Sequence, residues 1–164
     1  MKPRVNAAGY ITSGLGQAML GLQQQVEASG LEHSLLELVK IRASQINGCA
    51  YCLDMHTKDA RALGETEQRI YALSGWRETP FFSERERAAL EWTEAVTLVS
   101  SSHVADSVYH AVAPHFSEPE LVALTFAVVT INAWNRLAIS FRAVPGSYVS
   151  PHAQSVATPV AAGV

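Results

Sequence analysis

Two cysteines and one histidine stand at spacings that place them on one face of a helix. Cys49 and Cys52 are three residues apart, and His56 follows four residues later. Residues three or four apart on an α-helix are neighbours, so the three side chains share one stripe. A thiolate is the nucleophilic form of cysteine, and an adjacent histidine can take its proton. The spacing therefore predicts thiol chemistry, with two sulfurs close enough for a strained small-loop disulfide.

The residues before the cysteines favour a reactive thiol. Asn47 and Gly48 are a typical turn pair, which puts Cys49 at or near the first position of a helix. The N-terminus of a helix carries about half a positive charge and therefore favours a thiolate over a thiol. At such positions the pKa of a cysteine can fall to about 3.5–7.5. This is where a reactive cysteine would be placed.

A carboxylate lies within reach of this stripe. Glu37 precedes the first cysteine by twelve residues and stands among the apolar residues Leu36, Leu38 and Ile41. If the two helices pack antiparallel through the intervening turn, Glu37 can face His56. A carboxylate there would orient the imidazole and stabilise its charge, which gives a relay of glutamate, histidine and cysteine.

The elements that would position these side chains are helices, because apolar residues recur every three to four positions almost throughout the chain. Capping residues, glycines and prolines mark their ends. The predicted helices run from Ser13 to Gly30, Leu31 to Asn47, the cysteines to Gly64, Thr66 to Gly75, Ser83 to Val99, Val104 to Pro114 and Ser117 to about Phe141. A loop is expected over 76–80, and the serines at 100–102 are expected to break the chain.

These elements predict one all-α domain over residues 1–145, a helical bundle of six to seven helices. Residues 146–164 show no period and are expected to form a flexible tail. The last helix is apolar nearly all round and should be buried on most sides. Its polar residues Asn132, Asn135 and Arg136 each need a partner. A subunit interface or the floor of the active-site pocket would supply one, and we favour the interface.

The composition excludes several classes of protein. The chain has 164 residues, a net charge of -3 and 16% charged residues, which does not suggest a nucleic-acid or polybasic membrane binder. The charged share is below the usual quarter, which hints at subunit association. The first ten residues lack the apolar core of a signal peptide, and the longest uncharged apolar run, 121–135, is shorter than the roughly 20 residues of a membrane span. A soluble cytoplasmic protein is expected.

The pattern Glu37-x11-Cys49-x2-Cys52-x3-His56 resembles the active-site pattern of the AhpD-like alkylhydroperoxidases, within the carboxymuconolactone decarboxylase superfamily. The resemblance covers roughly residues 10–145. Four fixed positions over a 20-residue window are a far more specific signal than two cysteines alone.

The resemblance implies a function and an assembly. Cys52 would attack a hydroperoxide and become a sulfenic acid, while Cys49 would donate a proton and then close the disulfide. Glu37 and His56 would form the proton relay, and an external thiol would reduce the disulfide again. A sulfenic acid condenses readily with a nearby thiol, so this chemistry is sound. No metal or organic cofactor is implied, and the protein would be a homo-oligomer, often a trimer or a hexamer built from trimers.

One position departs from the family pattern. The best-known members have a histidine immediately before the second cysteine, where this chain has Tyr51. A phenol with an ordinary pKa near 10 is a poor proton shuttle at neutral pH. The thiol chemistry survives this change, whereas the rate and the substrate depend on it.

Several alternatives stay open. The two thiols could be small core residues. Cys49, Cys52, His56 and Glu37 could also hold zinc, although structural zinc usually has four Cys or His ligands. The chain could be a decarboxylase of a lactone acid, a branch that does not use this cysteine pair, or a non-enzymatic assembly protein that senses oxidation or binds zinc. Three further histidines are not at metal spacing and are expected at the surface, His103, His110 and His115.

Overall fold

The structure, a computed structural model, is helical throughout the part of the chain that it describes, residues 2–153. That part contains nine α-helices, two 3₁₀ helices and no strand, which confirms the all-α prediction. The α-helices are α1 (Ala7–Ile11), α2 (Gly14–Glu27), α3 (His33–Asn47), α4 (Ala50–Ala62), α5 (Glu67–Ala72), α6 (Glu84–Thr97), α7 (Val99–Ser102), α8 (Asp106–Val112) and α9 (Glu118–Phe141). The 3₁₀ helices are Leu73–Glu78 and Ala113–His115.

The helix ends follow the capping signals of the sequence. The Ser13 hydroxyl accepts a hydrogen bond from the N–H of Gly16 at the start of α2. Capping boxes begin α6 at Ser83 and α9 at Ser117. Helix α3 ends at Gly48, whose φ of 69° lies in the left-handed region that glycine adopts without strain.

Two short helices, the serine segment and one loop differ from the prediction. Helices α1 and α7 were not predicted and raise the number above six to seven. The serines at 100–102 do not break the chain, because the N–H groups there still bond to carbonyls one turn earlier. The expected loop 76–80 starts inside a 3₁₀ helix. Tertiary packing explains this difference, because Trp76 is buried and its indole N–H donates to Glu94 at 2.8 Å.

Helix α3 lies at the centre of the bundle and packs against α4, α6 and α9. Every residue from Leu35 to Ile41 is buried, so the helix has no solvent face in this stretch. One apolar cluster joins α3 to α2, α6 and α9, and a second joins it to α4 and to the 3₁₀ helix Leu73–Glu78. The charged residues Glu37 and Lys40 are therefore buried with the apolar ones, and each needs a partner.

Helix α9 is less buried than its sequence predicts. Among the helices of residues 2–153, only α9 has the length and hydropathy of a possible membrane span. In its most apolar stretch of 18 residues, 39% is buried inside the protein. Core helices of soluble proteins have the same character, and α9 packs against α2, α3 and α6. Its opposite face leaves Val122, Phe126 and Val129 about half exposed. The helix thus serves as a core element with one uncovered apolar stripe.

The segment that follows α9 includes the start of the predicted tail. Residues 154–164 lie outside the described residues. Before them, the N–H of Gly146 donates to the Asp54 carboxylate at 2.9 Å, and Ser150 is buried. This part packs against α4, through side-chain partners that a periodicity analysis does not detect.

The turn between α3 and α4 can be tested by one substitution and a matched control. Gly48→Ala should lower the free energy of unfolding by about 1 kcal/mol, because a Cβ disfavours the left-handed backbone. Nothing lies within 4 Å of that Cβ, so the loss is conformational. Gly21→Ala, equally open but inside α2, should instead raise stability by up to about 1 kcal/mol. Urea denaturation measures both, and equal effects would refute the conformational explanation.

Candidate active site

The centre of the site is a buried contact between α3 and α4. The Nδ1 atom of His56 lies 2.9 Å from Oε2 of Glu37. The other carboxylate oxygen, Oε1, accepts a hydrogen bond from Nζ of Lys40 at 2.8 Å. Nζ also lies 3.8 Å from Glu27. The two helices bring together the glutamate and the histidine as their antiparallel packing requires, and Lys40 joins them.

The charges around Glu37 keep it ionised. Burial alone would raise the pKa of this carboxyl group. The hydrogen bond and charge of His56, together with the ammonium of Lys40, outweigh burial and lower the pKa below its ordinary value of 4.5. An ionised Glu37 fixes the orientation of the imidazole through Nδ1, so Nε2 is the ring nitrogen on the side away from the carboxylate.

The two thiols lie at the start of α4 and differ in charge. Cys49 is the N-cap residue, and its Sγ accepts a hydrogen bond from the N–H of Cys52 at 3.4 Å. The pKa of Cys49 is lowered to about 7, first by the hydrogen bond from the Cys52 thiol, against the opposing effect of burial, and further by backbone N–H groups. The same hydrogen bond, burial and the charge of Cys49 raise the pKa of Cys52. The pair therefore shares one proton near neutral pH, with the negative charge on Cys49.

Asn135 of α9 supports this pair and was not among the predicted site residues. It is completely buried, and it lowers the pKa of both thiols through hydrogen bonds. Its Nδ2 donates to Ser44 at 3.0 Å, and its Oδ1 accepts from Asn47 at 2.8 Å. The turn before the cysteines is thus tied to α9.

The favoured assignment of the α9 amides to a subunit interface was wrong. Asn132 accepts from Asn47 at 2.9 Å and donates to Thr97 at 3.0 Å. Arg136 donates to the Asn132 carbonyl at 2.8 Å. Both amides, Asn132 and Asn135, therefore find partners inside the chain. The sequence indicated that these two amides need partners, because they lie on an apolar helix. The partners themselves are visible only in the fold.

A cavity of about 270 Å³ opens beside Cys52 and His56. Its wall is mostly aromatic and aliphatic, formed by Tyr10, Ile11, Leu20, Tyr51, Met55, Trp134, Ala138 and Tyr148, with Gln23. Cys52 lines the cavity and Cys49 does not, so the cavity lies on the Cys52 side of the pair. Burial and then the charges of the cysteines and Asp54 raise the pKa of Tyr51, which stays a neutral phenol. Tyr51, at the position where this chain departs from the family pattern, thus forms part of the cavity wall.

A second carboxylate lies near the relay. Asp59 of α4 is buried, and its two oxygens accept from the Tyr148 hydroxyl at 2.8 and 3.0 Å. Glu37, His56 and Asp59 bring ligand atoms within 4.8 Å of one another. This trio is not the predicted zinc set, because it contains no thiol. It also fits a cation poorly, since the Lys40 ammonium already neutralises Glu37.

Three of the other histidines, those expected at the surface, do not belong to this cluster. His103 and His110 are exposed and His115 is half-buried.

Comparisons place the chain among known proteins. A sequence model described as the carboxymuconolactone decarboxylase family matches residues 14–95. The uncharacterised Bacillus subtilis protein YdfG is 44% identical over 140 residues, which are 85% of this chain and 95% of YdfG. A protein of unknown function from Agrobacterium tumefaciens, named a candidate AhpD antioxidant defence protein, has a TM-score of 0.85 at 42% identity, over 90% of this chain and 100% of its own. A peroxidase-related protein from Silicibacter has a TM-score of 0.75 at 22% identity, over 85% and 74%, and shares the fold.

The buried charge cluster makes a prediction about stability and pH. Glu37→Gln should lower the free energy of unfolding by about 2 kcal/mol at pH 7, because it removes the charge that pairs with Lys40 and His56. The folded pKa of Glu37 is lowered, so its stabilisation is present above pH 4.5 and is lost as the pH falls through the folded value. The difference between wild type and variant should therefore shrink below pH 4.5.

Denaturation curves from pH 3 to 7 measure this difference, and Glu78→Gln is the control, at an exposed glutamate. A difference that is the same at every pH would contradict the charge assignment.

Proposed function

Since the chain belongs to the carboxymuconolactone decarboxylase family, in its AhpD-like branch, we propose that it is a thiol-dependent peroxidase or disulfide oxidoreductase. The family is one of peroxidase-related and decarboxylase-like proteins. The single observation that carries the narrower proposal is the position of Cys52. Cys52 lines a cavity together with His56 and lies one helical turn from a second thiol, whose pKa is lowered to about 7. A sulfur beside the cavity, a proton donor and a second sulfur are the parts that a two-cysteine peroxidase needs.

The first step reduces the peroxide. The proton of Cys52 moves to the Cys49 thiolate, which is feasible because the pair shares one proton. The Cys52 sulfur attacks the terminal oxygen of the hydroperoxide, so that an S–O bond forms while the O–O bond breaks. The alkoxide takes a proton from His56 and leaves as the alcohol. Cys52 is then a sulfenic acid, and Glu37 retains the orientation of the imidazole.

The second step closes the disulfide. Cys49 attacks the Cys52 sulfur, an S–S bond forms and the S–O bond breaks. The hydroxide takes the proton of Cys49 and leaves as water. An external dithiol then reduces the disulfide and supplies two protons, of which one returns to the Cys52 thiol and the other to His56. A reducing cytoplasmic location is part of this proposal, because the cycle needs thiols that are kept reduced.

The composition of the cavity wall weighs against a decarboxylase. A lactone acid carries a carboxylate, which enzymes usually bind with Arg or Lys. Among residues 2–153, the side chains that line this cavity include neither. Lys40, which lies nearby, is already paired with Glu37.

We also propose that the protein assembles with copies of itself. The support is the apolar stripe of Val122, Phe126 and Val129 on α9, each about half exposed. These residues are four and three positions apart, so they form one continuous face. A patch of this kind is typical of an interface.

Thiol titration tests the activity. The chain has two cysteines, and both thiols should disappear after one equivalent of a small hydroperoxide and return with dithiothreitol. Cys52→Ser should lose peroxide consumption altogether. Cys49→Ser should react more slowly, because the Cys52 proton loses its acceptor, and should stop at a sulfenic acid on Cys52, which dimedone traps, because the disulfide cannot form. Ser100→Ala, at an exposed residue of α7, is the control. Full turnover in either cysteine variant would refute the proposal.

Sedimentation tests the assembly. Phe126→Glu should reduce the mass of the particle toward that of one chain, because it buries a charge in the proposed interface. Tyr71→Glu, at a residue 73% exposed on α5, should leave the mass unchanged. A wild-type protein that sediments as a 17.7 kDa monomer would exclude the oligomer.

A further inference from the structure

The chain segment after α9 is fastened along α4. The N–H of Gly146 donates to Asp54 at 2.9 Å, and Nζ of Lys58 donates to the carbonyl of Tyr148 at 3.0 Å. Asp54 and Lys58 also form an ion pair with each other at 2.9 Å, one turn apart on α4. Ser150, two residues after the tyrosine, is buried. We call residues 146–150 the strap.

Tyr148 is the residue of the strap that lines the same cavity as Cys52. It lines the 270 Å³ cavity that contains Cys52 and His56. It also lines a larger surface groove of about 640 Å³, together with Arg61 and Tyr71. Of the residues described around the two spaces, only Tyr148 is shared by both. Its side chain therefore stands between the groove and the thiol cavity.

Asp59 fixes the position of this ring. Both oxygens of the buried carboxylate accept from the Tyr148 hydroxyl, at 2.8 and 3.0 Å. Burial, the hydrogen bond to Asp59 and the charge of Asp59 raise the pKa of Tyr148, so the hydroxyl remains a donor. A ring held at its hydroxyl end and at the backbone has little freedom to swing away.

We propose that Tyr148 is a specificity-determining residue of the thiol site and that Asp59 is its positioning residue. The ring forms part of the wall of the cavity, whose volume of about 270 Å³ lies at the lower end of the range of about 300–1,000 Å³ typical of ligand sites, so the cavity favours small molecules over bulky ones at Cys52. Without the ring, the cavity and the 640 Å³ groove become one space that admits bulky molecules. As a statement about peroxides this inference rests on the proposed function, whereas as a statement about access to a thiol it does not.

Competition between a small and a bulky thiol reagent tests access directly. Reduced protein is treated with iodoacetamide or with fluorescein maleimide, and labelling of Cys52 is followed by mass spectrometry. Tyr148→Ala should raise the rate with the maleimide by about tenfold or more relative to the rate with iodoacetamide, the effect expected when one steric limit is removed. Tyr148→Leu serves the same purpose if the alanine variant does not fold.

Three further variants separate the ring, its anchor and the strap. Asp59→Asn keeps a hydrogen-bond acceptor for Tyr148 and should retain the wild-type ratio of the two rates. Asp59→Ala removes the acceptor and should shift the ratio toward that of Tyr148→Ala. Val149→Ala is the matched control, since Val149 is 78% exposed and lines the groove but not the thiol cavity. An unchanged ratio in folded Tyr148→Ala, or an equal change in Val149→Ala, would overturn the proposal.

A peroxide measurement distinguishes this proposal from the proposed function. The kcat/KM values for tert-butyl hydroperoxide and for linoleic acid hydroperoxide are compared in wild type and Tyr148→Ala. If Tyr148→Ala raises kcat/KM for linoleic acid hydroperoxide alone, the ring limits the size of peroxides as well as of thiol reagents, which supports the proposal. If neither peroxide is consumed while the labelling ratio still shifts, the peroxidase function fails and the role of Tyr148 stands.

Discussion

The carboxylate of Glu37 is buried in the central helix of the bundle, and the arrangement of the site depends on satisfying it. An unpaired charge at this depth would cost several kcal/mol, so the fold must supply partners. Lys40 comes from the same helix, one turn later, and His56 comes from α4. The pairing of α3 with α4 thus satisfies the charge and gives the imidazole a fixed orientation in the same contact. The contact with His56 that the buried charge of Glu37 requires would also serve the proposed chemistry.

The start of α4 is the second constraint, because it determines which sulfur is charged. Gly48 lets the chain reverse in a left-handed conformation, and Cys49 follows as the N-cap of the helix. Asn135 from α9 holds the turn through Asn47 and also stabilises the thiolate. The charge is therefore stored on the sulfur that is enclosed, while Cys52, the sulfur that faces the cavity, keeps the proton. In the proposed function, a substrate in the cavity would meet a thiol that becomes a nucleophile once its proton moves to Cys49.

The sequence predicts what depends on short-range spacing and misses what depends on distant chain segments. The seven main helices and the contact between Glu37 and His56 follow from periodicity, caps and one tight turn. Asn135 carried a partial signal, as an amide on an apolar helix, but its partner lies 91 residues earlier in the chain. Asp59 and Tyr148 carried none, because their contact spans 89 residues and involves a segment without period. Such pairings are set by tertiary packing, which local patterns do not encode.

This division between near and distant contacts has a functional consequence. The groups that would move protons and electrons lie on α3 and α4, two adjacent helices whose geometry is fixed by buried charges and a short turn. The wall of the cavity is built in part by the two ends of the described chain, with Tyr10 from α1 and Tyr148 from the strap. Neither residue belongs to the two apolar clusters around α3, since Tyr10 packs its ring against Phe141 and the strap is held to α4 by hydrogen bonds. Under the proposed function, changes in these ends would alter what enters the cavity without disturbing the contact between Glu37 and His56, and the same thiol chemistry would then serve substrates of different size.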